Sequence, residues 1–174
     1  DTSARFDLPW DVYFHRDSLF ITQQEYVRVI SLSDTTVTTL AGNPTGDLLA
    51  DRENRELNNT RLGAEPKGIV VSRNNQVYLS TSNYILQLDR VRDSSFIFAG
   101  STVPDDVDGK GARVRFDEPH DLALDGKGSI FIADLANNKI RQLNLDTTVS
   151  SFVGVGQANT NFTTGVGLNA AIDQ

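Results

Sequence analysis

The chain has 174 residues, of which 39% are hydrophobic, 8% aromatic and 22% charged, which is the balance of a globular domain and excludes a disordered segment. Sixteen basic residues against 23 acidic ones leave a net charge of −7, so the field of the chain repels phosphate backbones and anionic lipids, and we expect no nucleic-acid partner. No run approaches the roughly 20 apolar residues that cross a bilayer, so we expect no direct membrane insertion, and the absence of cysteine removes disulfides and thiolate metal sites.

Three segments repeat one pattern in chain order. The first runs from Pro9 to Gly42 through the segments PWDVYFH, SLFIT, YVRVISL and TVTTLAG. The second runs from Pro66 to Gly100 through PKGIVVS, QVYLST, YILQLD and SFIFAG, and the third from Pro119 to Gly154 through PHDLALD, SIFIAD, NKIRQLNL and VSSFVG. The proline and the glycine are 33, 34 and 35 residues apart, so the register of the repeat hardly drifts.

Each repeat contains four short apolar runs that predict four antiparallel β-strands. The runs are rich in Val, Ile, Leu, Phe and Tyr, and several of them alternate apolar with polar residues, as in residues 26–30 and 140–143. No segment sustains a helical period beyond two turns. Tandem repeats of four antiparallel strands are typical of propeller blades, so we predict an all-β fold, a β-propeller segment of three four-stranded blades.

Longer polar connections, residues 42–66 and 100–119, join the repeats. The repeats divide the chain into residues 1–59, 60–110 and 111–164, and residues 165–174 begin a truncated fourth repeat because they resemble residues 109–117. Three blades leave two outer faces that are built to pack on neighbours. We therefore expect a fragment of a longer protein, or a half-ring that pairs, with other chains or the remaining blades as partners. The lack of methionine also indicates an internal starting point.

The third repeat carries most of the residues that resemble a known family. Its inner strand begins at a proline, its second strand ends in Ala133-Asp134, and the turn and strand NNKIR follow at residues 137–141. Together with the Ala-Gly that closes the first repeat at residues 41–42, this pattern resembles the NHL repeat, which implies a propeller, commonly of six blades. Thr22 and Gln23 in the first repeat and Ser80 in the second depart from the pattern where the family prefers an acidic residue.

The residue after each proline begins the innermost strand, so Trp10, Lys67 and His120 should approach the mouth of a central channel. Among NHL-like proteins, peptide-amidating lyases place zinc-binding histidines in this channel, and the context of His120 looks similar to such a site. Zinc needs three or four converging ligands, whereas the sequence contains only His15 and His120. We therefore predict polar channel residues and no cofactor.

Carboxylates recur one position further on, at Asp11 and Asp121, with Gly68 in the middle repeat. They are candidates for a calcium site, which needs six or more oxygen ligands, or for capping a turn or pairing with a nearby basic residue. A second, weak calcium candidate is the acidic connection before the third repeat, which lacks the spacing of an EF-hand and could equally be a solvated loop. Its carboxylates are Asp105, Asp106 and Asp108.

Aromatic residues recur at equivalent strand positions, and we expect them to form the blade cores. They are Phe14, Phe20, Tyr78, Phe96, Phe98, Phe131 and Phe152. Trp10 is the only tryptophan and sits beside the predicted channel, which makes it our first candidate for a partner contact, because Trp is enriched among interface anchors. Packing against the proline of a neighbouring blade is the alternative.

The remaining motifs favour binding over catalysis. Asn58 and Asn161 lie in N-glycosylation triplets, which would place the protein outside the cell or at its surface, with a cytoplasmic location as the alternative. No GxSxG elbow, HExxH motif or Walker loop occurs. We predict a non-catalytic scaffold that binds protein or glycan through propeller loops. The alternative is a metal-dependent lyase or hydrolase with a channel site, similar to the peptide-amidating lyases, to which His120 and Asp121 would contribute.

Overall fold

The computed structural model describes residues 4–43, 47–48, 57, 60–62 and 65–154. The first repeat forms one sheet, here called blade 1, whose four antiparallel strands pair in chain order. Its strands are β1 (Pro9–His15), β2 (Ser18–Gln23), β3 (Tyr26–Ser31) and β4 (Val37–Ala41). In the following connection β5 (Asp47–Leu48) and β6 (Thr60–Arg61) form a short parallel pair.

The other two repeats also form four-stranded sheets. Blade 2 consists of β7 (Ile69–Val71), β8 (Val77–Ser80), β9 (Tyr84–Asp89) and β10 (Ser94–Gly100). A short strand, β11 (Gly109–Lys110), and a 3₁₀ turn (Gly111–Arg113) precede blade 3. Blade 3 consists of β12 (Pro119–Leu124), β13 (Ile130–Asp134), β14 (Lys139–Leu143) and β15 (Thr148–Val153), and β11 pairs with β15 at its outer edge. The prediction of an all-β fold with four-stranded antiparallel sheets is confirmed.

The chain forms two compact units, residues 1–81 with 86–96 and residues 82–85 with 97–174. Blade 1 belongs wholly to the first unit and blade 3 wholly to the second, while β9 and β10 contribute residues to both. Among the described residues, no helix has the length and apolar character of a membrane span.

In the first unit, blade 1 packs one of its faces on the inner strand of blade 2. Strands β1 and β2 contact β7, and Phe20 is 1% exposed on this side. All three residues of β7 are buried, although alternate residues of a strand point to opposite faces. The inner strand of blade 2 is therefore covered on both of its faces.

In the second unit, alternation along the strands of blade 3 separates a buried face from an open one. Leu122, Ile132 and Arg141 lie opposite one another across three strands and are buried. Val114 and Phe116, from the connection before β12, are also fully buried. The core of this unit is therefore built by one face of the sheet and by the connection that precedes it.

The expectation that the recurrent aromatic residues form the core holds for only some of them. Phe20 and Tyr78 are buried, and the side chains at 96, 98 and 131 are half-buried. Phe14 is 62% exposed and Phe152 is 49% exposed, so the prediction was wrong for both. The reason is the same in each case, because each ring lies on the face of its sheet that the described residues leave open.

Each blade ends in a glycine whose conformation other residues rarely adopt, with φ of 109° at Gly42, 99° at Gly100 and 109° at Gly154. A side chain at these positions would also strike the start of the third strand of the same blade. At Gly100, an added Cβ would lie 2.8 Å from the carbonyl oxygen of Asn83 and 2.8 Å from the Cα of Tyr84. Backbone sterics therefore require the glycine that closes each repeat.

We predict that Gly100→Ala lowers the free energy of unfolding by about 2–4 kcal/mol, because the variant combines an unfavourable φ with overlap against the backbone. Gly111→Ala is the matched control, since its φ is 57° but its added Cβ would lie 3.6 Å from the Thr147 hydroxyl, an ordinary contact. The control should lose only about 1–2 kcal/mol. Urea denaturation followed by far-UV circular dichroism measures both, and equal losses would contradict the steric explanation.

Candidate functional site

Trp10, the first predicted contact residue, lies on an exposed apolar surface of blade 1. The side chains of Trp10, Val12 and Phe14 alternate along β1 and are 47%, 59% and 62% exposed. The strand register places Ile21 opposite Val12, Leu19 opposite Phe14, and Ile30 opposite Leu19, so these side chains share the same face. The open face of blade 1 is defined by these residues, namely Trp10, Val12, Phe14, Leu19, Ile21 and Ile30.

A cavity of about 440 Å³ runs along this face. It is lined by Phe6, Pro9, Trp10, Asp11, Val12, Leu19, Ile21 and Ile30. The lining residues are apolar except for Asp11, but Arg28 lies opposite Ile21 on the same face, with its guanidinium carbon 5.9 Å from the Phe6 ring centre. Such a surface gains free energy by removing apolar area from water, so it suits an apolar or aromatic partner surface better than a charged ligand.

Asp11, which the sequence suggested as a calcium ligand or a turn cap, joins two inner strands. Its Oδ1 accepts a hydrogen bond from the Val12 amide at 2.7 Å, and its Oδ2 accepts one from the Ile69 amide at 2.9 Å. Thr22 supports the same contact, because its hydroxyl accepts from the Asp11 amide at 3.1 Å and donates to the Lys67 carbonyl at 2.6 Å. Both carboxylate oxygens therefore bind main-chain amides, and Lys67 takes part through its backbone.

His120 and Asp121 belong to the second compact unit. His120 is half-buried, and Asp121 is exposed. The Asp121 Oδ1 accepts a hydrogen bond from the Leu122 amide at 2.8 Å, which is the local bond that Asp11 makes to Val12. Within the part of the chain that the structure describes, no three His, Cys, Asp or Glu residues are close enough to hold a metal ion. The glycosylation candidates Asn58 and Asn161 lie outside the described residues.

The acidic connection before blade 3 is held against the sheet by basic side chains. Arg141 binds the carboxylates of Asp106 and Asp108, Lys139 binds Asp106 as well, and the Asp108 Oδ2 accepts from the Ser151 amide at 2.9 Å. The connection is therefore tied to blade 3 by ion pairs while its aspartates remain exposed to solvent, and the calcium interpretation stays a prediction. The third carboxylate, on Asp105, accepts only a local bond from the next amide at 2.8 Å among the described contacts.

Arg141 is fully buried and also binds Asp134, which is fully buried too, at 2.8 Å. The Asp134 carboxylate further accepts from the Asp117 amide at 2.9 Å and from the Asn137 side chain at 3.0 Å. The Phe116 ring lies 5.4 Å from the guanidinium carbon of Arg141. Burial raises the pKa of Asp134 above its ordinary value, although the bonds from Asn137, the Asp117 amide and Arg141 act in the opposite direction.

The strand registers show which residues of blades 1 and 2 occupy the same two positions. Blade 1 has Gln23 in place of Asp134 and Arg28 in place of Arg141. In blade 2 the register of Ile69 with Leu79 places Thr81, and not Ser80, at the acidic position, and the sequence pattern places Leu86 at the basic one. Only blade 3 therefore carries the complete acid and base pair among the three.

Sequence reasoning noted Asp134 and Arg141 as part of the family pattern and the acidic connection as a separate feature, but did not join them. The available signal was the spacing of Arg141 and Leu143, because strand alternation places the arginine on the same face as a buried leucine, where it requires carboxylate partners. Aspartates 33 and 35 positions earlier are the partners that the fold supplies.

We predict that Arg141→Leu lowers the free energy of unfolding by about 3–5 kcal/mol, because it leaves the buried Asp134 carboxylate without its cation. The double variant Asp134→Thr with Arg141→Leu copies the pair that blade 2 carries, and should lose only about 1–2 kcal/mol. Urea denaturation followed by far-UV circular dichroism tests both. A double variant that is no more stable than the single one would show that the pair is not coupled.

The same variants give a pH test. Loss of Arg141 removes an influence that lowers the pKa of Asp134, so the already raised folded-state pKa rises further. A carboxyl whose pKa is higher in the folded state takes up a proton on folding, and its contribution to stability improves as the pH falls through that pKa. The stability deficit of Arg141→Leu should therefore be smaller at about pH 5 than at about pH 7, whereas the deficit of the double variant, which lacks the Asp134 carboxyl, should not shrink as the pH falls.

Comparison with known proteins identifies the fold but not a family. No family model matches the chain. A curated relative is the chloroplastic protein SUPPRESSOR OF QUENCHING 1 from Arabidopsis thaliana, which is 33% identical over 95 residues. The match covers 51% of this chain and 9% of that protein.

Solved structures share the architecture at low sequence identity. An auxiliary nutrient binding protein from Bacteroides thetaiotaomicron matches with a TM-score of 0.59 and 17% identity, over 83% of this chain and 36% of its own. Virginiamycin B lyase from Staphylococcus aureus matches with a TM-score of 0.55 and 15% identity, over 84% of this chain and 41% of its own. These structures are propeller-like, and the chain is therefore a β-propeller segment built from four-stranded antiparallel blades.

Proposed function

We propose that this propeller segment is a non-catalytic binding scaffold that recognises a protein partner through the open face of blade 1. The observation that supports it is the row of exposed apolar side chains along β1, with Trp10, Val12 and Phe14 each at least 47% exposed. Contiguous apolar surface on a folded protein marks interaction sites more often than isolated exposed residues do. Trp10 would be the anchor, because tryptophan contributes a large contact area with few rotatable bonds.

A protein surface fits this face better than a glycan. Carbohydrate recognition needs several convergent hydrogen-bonding groups, whereas the residues that line the cavity are apolar apart from Asp11. The Asp11 carboxylate already accepts hydrogen bonds from the Val12 and Ile69 amides. The free energy of binding would therefore come mainly from burial of apolar area.

The comparisons are compatible with this function without deciding it. The similar structures include a nutrient binding protein and a lyase, and one fold commonly hosts both binding and catalysis. We keep the NHL repeat as the proposed class of the blades, on the pattern formed by Asp134 and residues 137–141. We also propose a location outside the cell or at its surface, supported by the triplets at Asn58 and Asn161.

Selection from a random peptide library tests the binding function. We expect the chain to select 12-residue peptides that are rich in aromatic and aliphatic residues, to bind them with micromolar Kd, and to shift its Trp10 emission on binding. Val12→Asp, on the open face, should weaken this binding at least about tenfold, because a charged group would replace apolar contact area and lose its hydration when a partner binds. Val91→Asp is the matched control, since Val91 is 86% exposed in the turn between β9 and β10 of blade 2.

Selected peptides that bind Val12→Asp as well as they bind the parent chain would rule out the open face as the site. Glycan-array binding that depends on Trp10, in the absence of such peptides, would assign the face to carbohydrate instead.

The proposed location has its own test, the mass of the chain secreted from a eukaryotic host. We expect two N-linked glycans, so that digestion with an N-glycosidase lowers the mass and converts Asn58 and Asn161 to aspartate. Replacing either asparagine with glutamine should remove one glycan, and a secreted chain with both asparagines unmodified would count against an extracellular role.

A further inference from the structure

The covered face of blade 1 shows how one blade of this protein binds another. On that face Phe20 is 1% exposed, and the guanidinium carbon of Arg90 lies 5.5 Å from its ring centre. The Asp11 carboxylate accepts from the Ile69 amide, and the His15 ring lies within hydrogen-bonding distance, 3.0 Å, of the Asn75 side chain. The contact therefore combines a carboxylate bound to a main-chain amide, a covered aromatic ring and polar pairs at the outer end of the inner strand.

Blade 3 carries an equivalent face that is exposed. The register places Asp121 at the position of Asp11, and Phe131 at the position of Phe20. Asp121 is exposed, and the Phe131 ring packs edge to face against Phe152 at 4.9 Å. This face, here called the blade 3 face, is defined by Asp121, Phe131 and Phe152.

Two differences make the blade 3 face more apolar than its equivalent on blade 1. Ala123 and Ala133 replace Tyr13 and Thr22 on the strands that carry the contact. The blade 3 face therefore keeps the carboxylate and the aromatic ring but lacks the threonine hydroxyl that donates to the Lys67 carbonyl.

The open face of blade 1 supplies the matching half. Its Trp10 and Val12 occupy the positions that Lys67 and Ile69 occupy in blade 2, counted from the proline of each repeat. Leu32, which is 44% exposed, follows β3 as Arg90 follows β9. Trp10 and Leu32 therefore present apolar surface where blade 2 presents Lys67 and Arg90, which suits the more apolar blade 3 face. Arg28 on the same face is an opposite difference, because blade 2 has Leu86 at that position.

We propose that the open face of blade 1 binds the blade 3 face of a second copy of this chain. The contact is head to tail, with Trp10 and Leu32 packing near Phe131 and Phe152. Both halves of the interface are present on one chain, and they occupy the positions through which blade 1 contacts the inner strand of blade 2. The bond between a carboxylate and an amide is not repeated, because the Val12 amide already donates to Asp11, whereas the Ile69 amide donates across the contact. The inference rests on the proposed function in that it names the partner of the same open face.

Sedimentation equilibrium on the chain alone, from about 1 µM to 500 µM, tests the proposal. We expect the average mass to rise with concentration, because a head-to-tail contact uses two different surfaces and can be repeated. Val12→Asp and Phe152→Asp should each remain monomeric over this range. Mixed in equal amounts they should form a dimer and nothing larger, because each variant keeps one intact face and only one productive contact can form.

One further variant separates the contact from general effects. Val91→Asp adds the same charge at an exposed turn and should associate as the parent does. Far-UV circular dichroism confirms that each variant keeps the fold.

A parent chain that stays monomeric up to 500 µM would overturn the proposal, and so would an equal mixture of the two aspartate variants that fails to form a dimer. Association that persists in Val12→Asp would also overturn it, because the contact would lie elsewhere. A chain that stays monomeric and still selects peptides through Val12 would lose this inference and retain the proposed function.

Discussion

Each blade of this protein carries apolar side chains on both faces of its sheet, and the need to cover both faces governs the rest of the structure. A sheet of this kind cannot leave one face in water as an ordinary antiparallel sheet does. In blade 2 both faces of the inner strand are covered, since Ile69, Val70 and Val71 are consecutive and all at most 2% exposed. In blade 1 the described residues cover only one face of the sheet, with Phe20 buried on that side and Phe14 exposed on the other.

The same constraint explains why the repeat was readable in the sequence. Four apolar runs separated by turn residues, with a proline before the first run and a glycine after the last, define where each sheet begins and ends. The glycine is required by a local contact, the approach of Gly100 to Asn83 and Tyr84, so its spacing survives in all three repeats. Whether a given aromatic residue is buried depends instead on what covers its face, and that information is not contained in the strand itself.

The ionic cluster in the second unit shows the limit of local reasoning most clearly. Asp134 and Arg141 are seven positions apart, and their pairing follows from two adjacent strands. Asp106 and Asp108 come from a connection more than 30 positions earlier, so only the fold brings them to the same guanidinium. A pattern of aspartates in a loop is equally compatible with a metal site, with solvent exposure and with an ion pair. The local sequence does not distinguish among these three arrangements.

The three blades also show different solutions at one pair of positions. Blade 2 fills them with Thr81 and Leu86, which need no charge compensation, whereas blade 3 buries Asp134 with Arg141. Since a buried ion pair rarely stabilises a fold more than well-packed apolar residues would, stability alone does not account for the charged pair. Its additional effect is positional, because Arg141 also holds Asp106 and Asp108 and so fixes the connection that precedes the blade.

A protein that consists of sheets with two apolar faces has a limited choice of ways to bind a partner. Loops at the ends of the strands can vary freely, but the blade face that the described residues leave uncovered offers contiguous apolar surface. Such a face is suited to contact with another sheet, with the carboxylate of Asp11 and the amide of Ile69 as an example of the polar contact that joins two strands. Recognition by this surface would therefore resemble folding, since it would use the same kind of sheet-on-sheet packing that joins blade 1 to blade 2.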